Sequence, residues 1–125
     1  MTENEIAKVI VDLSLKIHKL LGPGLLESVY EEVLAYELKK LGLIIVRQIG
    51  IPVMYDSIKM DIGFRADIIV NDKVIIEIKS IDKLLPVHKK QLLTYLKLTR
   101  KKLGLLINFN ENLIKNGITR VANGL

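Results

Sequence analysis

Three features of the 125-residue chain predict an α/β fold with the element order ααβββαβ and a weak extra strand at the end. Apolar residues recur at helical spacing through the first third of the chain, and the period then switches to strand-like alternation. A further helical stretch is followed by a short apolar run. The count is four to five strands, enough for one central sheet. The length suits a single domain over residues 1–125, and no linker, internal repeat or low-complexity tract divides it.

Thr2 and Glu5 have the spacing of a capping box, and Ile6, Val9, Ile10, Leu13, Ile17, Leu20 and Leu21 follow at helical intervals. A first helix to about Leu21 is expected. Gly22-Pro23-Gly24 breaks it, and a second helix from Leu25 to Leu41 should close at Gly42. "LIIVRQIGIPVMY", "KMDIGFRADIIV" and "KVIIEIK" then read as three strands. Asn71-Asp72 is the expected tight turn between the second and third, because both residue types tolerate positive φ. Pro52 gives the first strand an edge or irregular position. "DKLLPVHKKQLLTYLKLTRKK" returns to helix with Pro86 in its first turn. "KLGLLINFN" is a strand buried on both faces, and "NLIKNGITRVAN" supplies a last turn and a final edge strand.

Composition removes several classes of function. Hydrophobic residues make up 50% and charged residues 26%, a globular rather than disordered balance. No apolar run reaches the roughly 18 residues that span a bilayer, and "MTENEIAK" lacks the basic and apolar regions of a signal peptide. A cytoplasmic location with no membrane partner is expected. Cysteine is absent, which excludes disulfides, thiol nucleophiles and cysteine-ligated zinc or iron-sulfur sites. The only histidines are His18 and His88, so a metal here would be a hard ion held by carboxylates.

The net charge of +5 is unevenly spread. Lys79, Lys83, Lys89, Lys90, Lys97, Arg100, Lys101 and Lys102 face a single acid, Asp82, so this segment carries +7 and the rest of the chain −2. An anionic partner is one reading and a solvated face the other.

Three groups of residues could carry chemistry. On a wheel for the second helix, at about 100° per residue, Leu34 and Leu38 flank Glu27 within roughly 20°. Tyr30, Val33, Leu41 and Leu26 continue this apolar arc, which aims Glu27 at the core. The alternative is a first-turn glutamate stabilised by the helix dipole. Glu37 lies on the same arc and is expected to pair with a base such as Arg47.

Strand alternation puts Glu77 and Lys79 on one face, with the backbone carbonyl of Ile78 between them. Their neighbours are Val74, Ile75, Ile76 and Ile81, and charge buried among such residues is costly unless paired or bound to metal. Asp67 lies across the hairpin, a little out of line with Glu77 if Asn71-Asp72 form the turn. Two acids and a lysine at a strand end form a coherent magnesium site; a salt bridge on a half-exposed strand is the plainer reading. In the third helix, His88, Gln91 and Tyr95 fall within about 60° of one another, with Lys90, Lys97 and Lys101 about 90° or more away. The first set could equally be a hydrogen-bonded rim of the core.

Together these residues resemble the GxxExxY protein family, a branch of the PD-(D/E)XK nuclease superfamily. Gly24-Leu-Leu-Glu27-Ser-Val-Tyr30 matches the naming motif, Arg65-Ala-Asp67 and Glu77-Ile-Lys79 match the acid and E-x-K elements, and "HKKQLLTYL" resembles the helix that follows. The resemblance runs from about Ile6 to Asn123; Ala66 stands where the superfamily often has proline. It implies a restriction-endonuclease-like fold, a three-layer α/β/α core around a mixed sheet. It also implies a Mg²⁺-dependent nuclease, with Mn²⁺ as a substitute. Asp67, Glu77 and the Ile78 carbonyl would hold the ion, Glu27 would reach it through water, and Lys79 would assist the attacking water. Gln91 and Tyr95 would position these groups, with Gly24, Tyr30 and His88 in support. Lys90, Lys97, Arg100 and Lys101 would attract the phosphates of DNA or RNA. A homodimer is expected, because a chain this small has little surface with which to grip a duplex. The alternative is a catalytically silent module that binds nucleic acid or protein.

Overall fold

The computed structural model describes residues 1–125, the side chain of Ile62 excepted. Helices α1 (Glu3–Leu21) and α2 (Glu27–Lys40) come first, followed by strands β1 (Ile45–Tyr55), β2 (Ile58–Val70) and β3 (Val74–Lys79). Helix α3 (Pro86–Thr99), β4 (Leu103–Asn108), a 3₁₀ turn (Ile114–Gly117) and β5 (Ile118–Ala122) complete the chain. The strands form one mixed sheet in the order β1-β2-β3-β4-β5, parallel only between β3 and β4. Helix α3 makes that parallel crossover, as a parallel pair requires.

Local chemistry sets the element ends. Thr2 accepts the Glu5 N–H and Glu5 accepts the Thr2 N–H, the reciprocal box that opens α1. Gly42, at φ +84°, ends α2: its N–H reaches Lys39 O at 2.9 Å, and the Leu43 N–H reaches Leu38 O at 3.2 Å. Pro86 starts α3, where its missing N–H costs nothing. Pro52 lies on the sheet's edge strand beside a register shift between Ile51 and Val53.

Two cores sandwich the sheet. Ile6, Ile10, Leu34 and Leu38 of α1 and α2 pack on Ile68, Val70, Ile76 and Ile78. On the opposite face Leu92, Tyr95 and Leu96 of α3 pack on Ile69, Ile75 and Leu106. Strand β4 is buried at all six positions: Leu103 to Ile107 are apolar, and Asn108 is bonded to the backbone of Ile81.

Two strands change faces partway along. Ala66 belongs to the α3 core whereas Ile68, two residues on, belongs to the α1–α2 core, although period-two alternation should keep them together. Next to them on β1, Arg47 reaches Glu31 of α2 while Ile51 lies in the α3 core. The pleat inverts between these positions, at Gln48 and Asp67, which the regular β1–β2 pairing skips. Gln48 has φ +53°. The outer part of the β1–β2 hairpin thereby swings to the α3 side, and Phe64 meets Tyr95 with ring centroids 4.8 Å apart.

The turn after β2 corrects the expected register. Asn71 and Asp72 both adopt positive φ, and the Lys73 N–H closes the turn onto Val70 O at 2.9 Å. Val70 then pairs with Val74, leaving Lys73 as an extra residue. Continuing that register places Asp67 directly opposite Glu77. Counting only the two turn residues displaced them by one.

Candidate active site

The site lies where β2 and β3 part. Their ladder runs from the turn to Ile68 and Ile76, and beyond it two carboxylates take over the backbone bonds. The Asp67 N–H donates to Glu77 Oε1 at 3.2 Å, and the Ile78 N–H donates to Asp67 Oδ2 at 2.8 Å. A strand residue's N–H and C=O point the same way, so the Ile78 carbonyl faces this fork as well. Lys79 follows at the end of β3, half-buried.

Burial dominates the electrostatics of the pair. The Glu77 carboxyl is pushed up to about 8, first by burial and then by the neighbouring Asp67 charge, against the Asp67 N–H bond and Lys79. Asp67 is also raised, chiefly by burial, with the Glu31 charge adding to it and the Ile78 N–H opposing it. The Tyr95 hydroxyl is pushed to about 12 by burial and by the charges of Glu77 and Asp67, so it stays protonated within their field. Gln91, one turn earlier on α3, is half-buried. His88 caps the helix: its Nδ1 accepts the Leu85 N–H at 2.9 Å.

The helix-borne acids are placed differently from the wheel's expectation. Glu27 is exposed, and its carboxylate accepts the Ser80 N–H at 3.2 Å, just past the E-x-K element. It is the first residue of α2, and its side chain leans back toward the helix start, beyond the end of the sheet. Glu31, one turn on, is the buried acid. It accepts from Arg47 at 2.9 Å and from the Gln48 amide at 2.7 Å. Sequence reasoning missed Glu31 and Gln48. The same wheel puts Glu31 about 40° from Glu27, beside Leu38 at the edge of the apolar arc, so its signal was present. Arg47 pairs with Glu31 and Glu32; Glu37, further along α2, pairs with Lys16 and Lys40 instead.

Gly24 and Tyr30 explain the spacing of the opening motif. The buried Tyr30 hydroxyl donates to Gly22 O at 2.5 Å and accepts the Leu25 N–H at 3.1 Å, while its ring stacks on Phe109 at 4.5 Å. Gly24 turns at φ +99°, which disfavours any residue with a Cβ. The loop held this way presents Leu25 O to the Ser80 hydroxyl at 2.5 Å. The start of α2 is thereby fixed to the end of β3.

The basic residues divide between the two ends of the sheet. Helix α3 begins near the end of β3 and runs back, so Lys97, Arg100 and Lys101 lie toward the turn end, away from the fork. Lys101 is engaged there, bonded to the Asp72 carboxylate at 2.7 Å with little exposure. Of the four bases expected to attract phosphate, Lys97, Arg100 and Lys101 therefore lie apart from the fork, and Lys90 lies at the α3 start. Lys83, Lys89 and Lys90 are the exposed bases at the α3 start.

Among the described residues, no group of three or more His, Cys, Asp or Glu side chains converges closely enough to hold a metal. The fork offers two carboxylates and a carbonyl, all hard oxygen donors. That set fits Mg²⁺, which keeps several waters and binds through one or two carboxylates plus substrate phosphate.

Acids and a lysine stand at a split in a mixed sheet between helical layers, in an α/β/α domain. The model of the PD-(D/E)XK nuclease superfamily matches residues 4–121, and the chain belongs to that superfamily. Its nucleases in general depend on divalent metal, and the substrate class the family implies is nucleic acid. Two solved structures share the fold: an alkaline exonuclease, LHK-Exo, from Laribacter hongkongensis, and LHK-Exo in complex with dAMP. The first has 18% identity and a TM-score of 0.50 over 98% of this chain and 72% of that one. The complex has the same identity and TM-score over 94% and 69%. No curated protein matches significantly. Among the described residues, no helix is long and apolar enough to cross a membrane.

Proposed function

We propose that the protein is a Mg²⁺-dependent nuclease that hydrolyses phosphodiester bonds at the β2–β3 fork. The observation that carries this reading is the pair Asp67 and Glu77, facing each other in register with the Ile78 carbonyl beside them and Lys79 following. Asp67, Glu77 and that carbonyl would hold the ion. When bound, Mg²⁺ supplies Lewis-acid activation of water and offsets charge developing on the phosphate. Lys79 orients the attacking water or neutralises a phosphate oxygen. Glu27, at the mouth, accepts from water ordered there. Gln91 and the protonated Tyr95 hydroxyl position these groups, and Lys83, Lys89 and Lys90 attract the backbone without reading sequence.

Membership of the GxxExxY branch is supported by the joint task of Gly24, Glu27 and Tyr30, which fix one loop to the end of β3. A homodimer would supply the surface that a single small domain lacks, and light scattering tests it. The function itself is tested by cleavage of single- and double-stranded DNA and RNA with Mg²⁺ or Mn²⁺, beside Lys79→Ala. Metal-dependent cleavage lost in the variant is the expected result. Cleavage that survives Lys79→Ala contradicts the reading, and a protein that binds these substrates without cutting any is a silent module.

A further inference from the structure

Gln48 interrupts β1 with a left-handed backbone that a side-chain-bearing residue rarely adopts, at φ +53°. Its neighbours Arg47 and Ile49 pair with Ile68 and Ala66, so Gln48 falls opposite Asp67, which in turn falls opposite Glu77. One row across three strands thus holds an amide and two acids. Packing does not explain the strain, because Gln48 is exposed.

The side chain does have a task. Its Nε2 donates to Glu31 Oε1 at 2.7 Å and to Asp67 Oδ1 at 3.4 Å, joining an acid of the α2 layer to one of the fork. Both partners are carboxylates that only accept, so the NH₂ end must face them. Each remaining oxygen is held too: Glu31 Oε2 by Arg47 and Asp67 Oδ2 by the Ile78 N–H. Among the described residues Gln48 is therefore the one side chain bonded to both acids, and it holds the Asp67 oxygen that the Ile78 N–H does not reach.

We propose that Gln48 is a positioning residue for the metal site, holding the Asp67 carboxylate oriented toward the fork and linked to the Glu31–Arg47 pair. This rests on the metal reading given above. The rival account is that the left-handed backbone serves only to invert the pleat. Gln48→Gly separates the two, since glycine keeps the φ freely and loses only the amide. Gln48→Asn is a second test: asparagine also tolerates left-handed φ, and its shorter side chain withdraws the amide from Asp67.

The measurement is the apparent Kd for Mn²⁺ from calorimetric titration, with the metal-free melting temperature as a check on folding. Both variants should melt near the wild type without metal and bind Mn²⁺ about tenfold more weakly or worse, the usual effect of losing a partner behind a ligand. Variants that bind within twofold of wild type would overturn the proposal while leaving the metal site intact. A wild type that binds no Mn²⁺ would overturn the metal reading itself, and this inference with it.

Discussion

The two halves of the β2–β3 pair do opposite work. Near the turn, Ile68, Ile69 and Val70 face Ile76, Ile75 and Val74 in regular register, all buried and apolar. Beyond Ile68 the ladder gives way to Asp67 and Glu77, whose carboxylates accept the backbone N–H groups. The difference shows how one hairpin can stabilise a fold and hold charge within a few residues. The apolar half holds the two carboxyl groups side by side in a buried place, where burial and the Asp67 charge keep a proton on Glu77 far above the usual carboxylate range.

The sharpest way to break this comparison is to remove one of the two proposed metal-binding carboxylates. Asp67→Asn should lower Mg²⁺-dependent cleavage by about a thousandfold, roughly 4 kcal/mol of transition-state stabilisation, measured in single-turnover assays. In the apolar half, Ile76→Ala should cost about 3 kcal/mol in denaturant unfolding. Its cleavage per folded molecule should remain within about twofold.

The two halves also differ in their response to pH. Glu77 has a folded-state pKa of about 8 against an ordinary value of 4.5. The folded state therefore holds this proton more tightly than the unfolded chain does. Its contribution is fully present below about 4.5 and is lost as pH rises through about 8. Metal-free wild type should lose stability over that window. Glu77→Gln, which cannot ionise, should be more stable at pH 8 by on the order of 3 kcal/mol, with little difference at pH 4. Urea melts of both proteins in chelator across the window measure this.

The smallest effects belong to the basic residues at the turn end. Lys101→Ala should change stability by about 1 kcal/mol or less and leave nucleic-acid affinity unaltered. Lys90→Ala, near the fork, should weaken binding measurably and reduce its salt dependence. Fluorescence anisotropy at two salt concentrations distinguishes them.

Much of the fold was legible because the signals were local. The Thr2–Glu5 box, Gly42, Pro52, Asn71-Asp72 and Pro86 each mark a boundary through backbone chemistry that a short window contains. The neighbouring strands of the central acids were legible for the same reason, since Glu77 and Lys79 share one strand and Asp67 lies on the strand before it, though their alignment was not. What escaped depended on geometry between elements. Lys73 moved the hairpin register by one residue, and the inverted pleat at Gln48 has no sequence period. Glu27 lay on the apolar arc, yet the arc does not say where the sheet ends, so Glu31 was the acid that became buried. Likewise the lysine stripe could be counted on a helix, but not assigned to one end of the sheet.

The central claim is that Asp67 and Glu77 form a cation site. The most direct measurement is the melting temperature at pH 8 of wild type and Glu77→Gln as Mn²⁺ is raised to millimolar concentration. Preferential binding to the folded state should raise the wild-type value steadily with metal. Glu77→Gln should start higher and stay flat. A wild-type melting temperature that ignores the metal, or a variant that rises in parallel with it, would contradict the account.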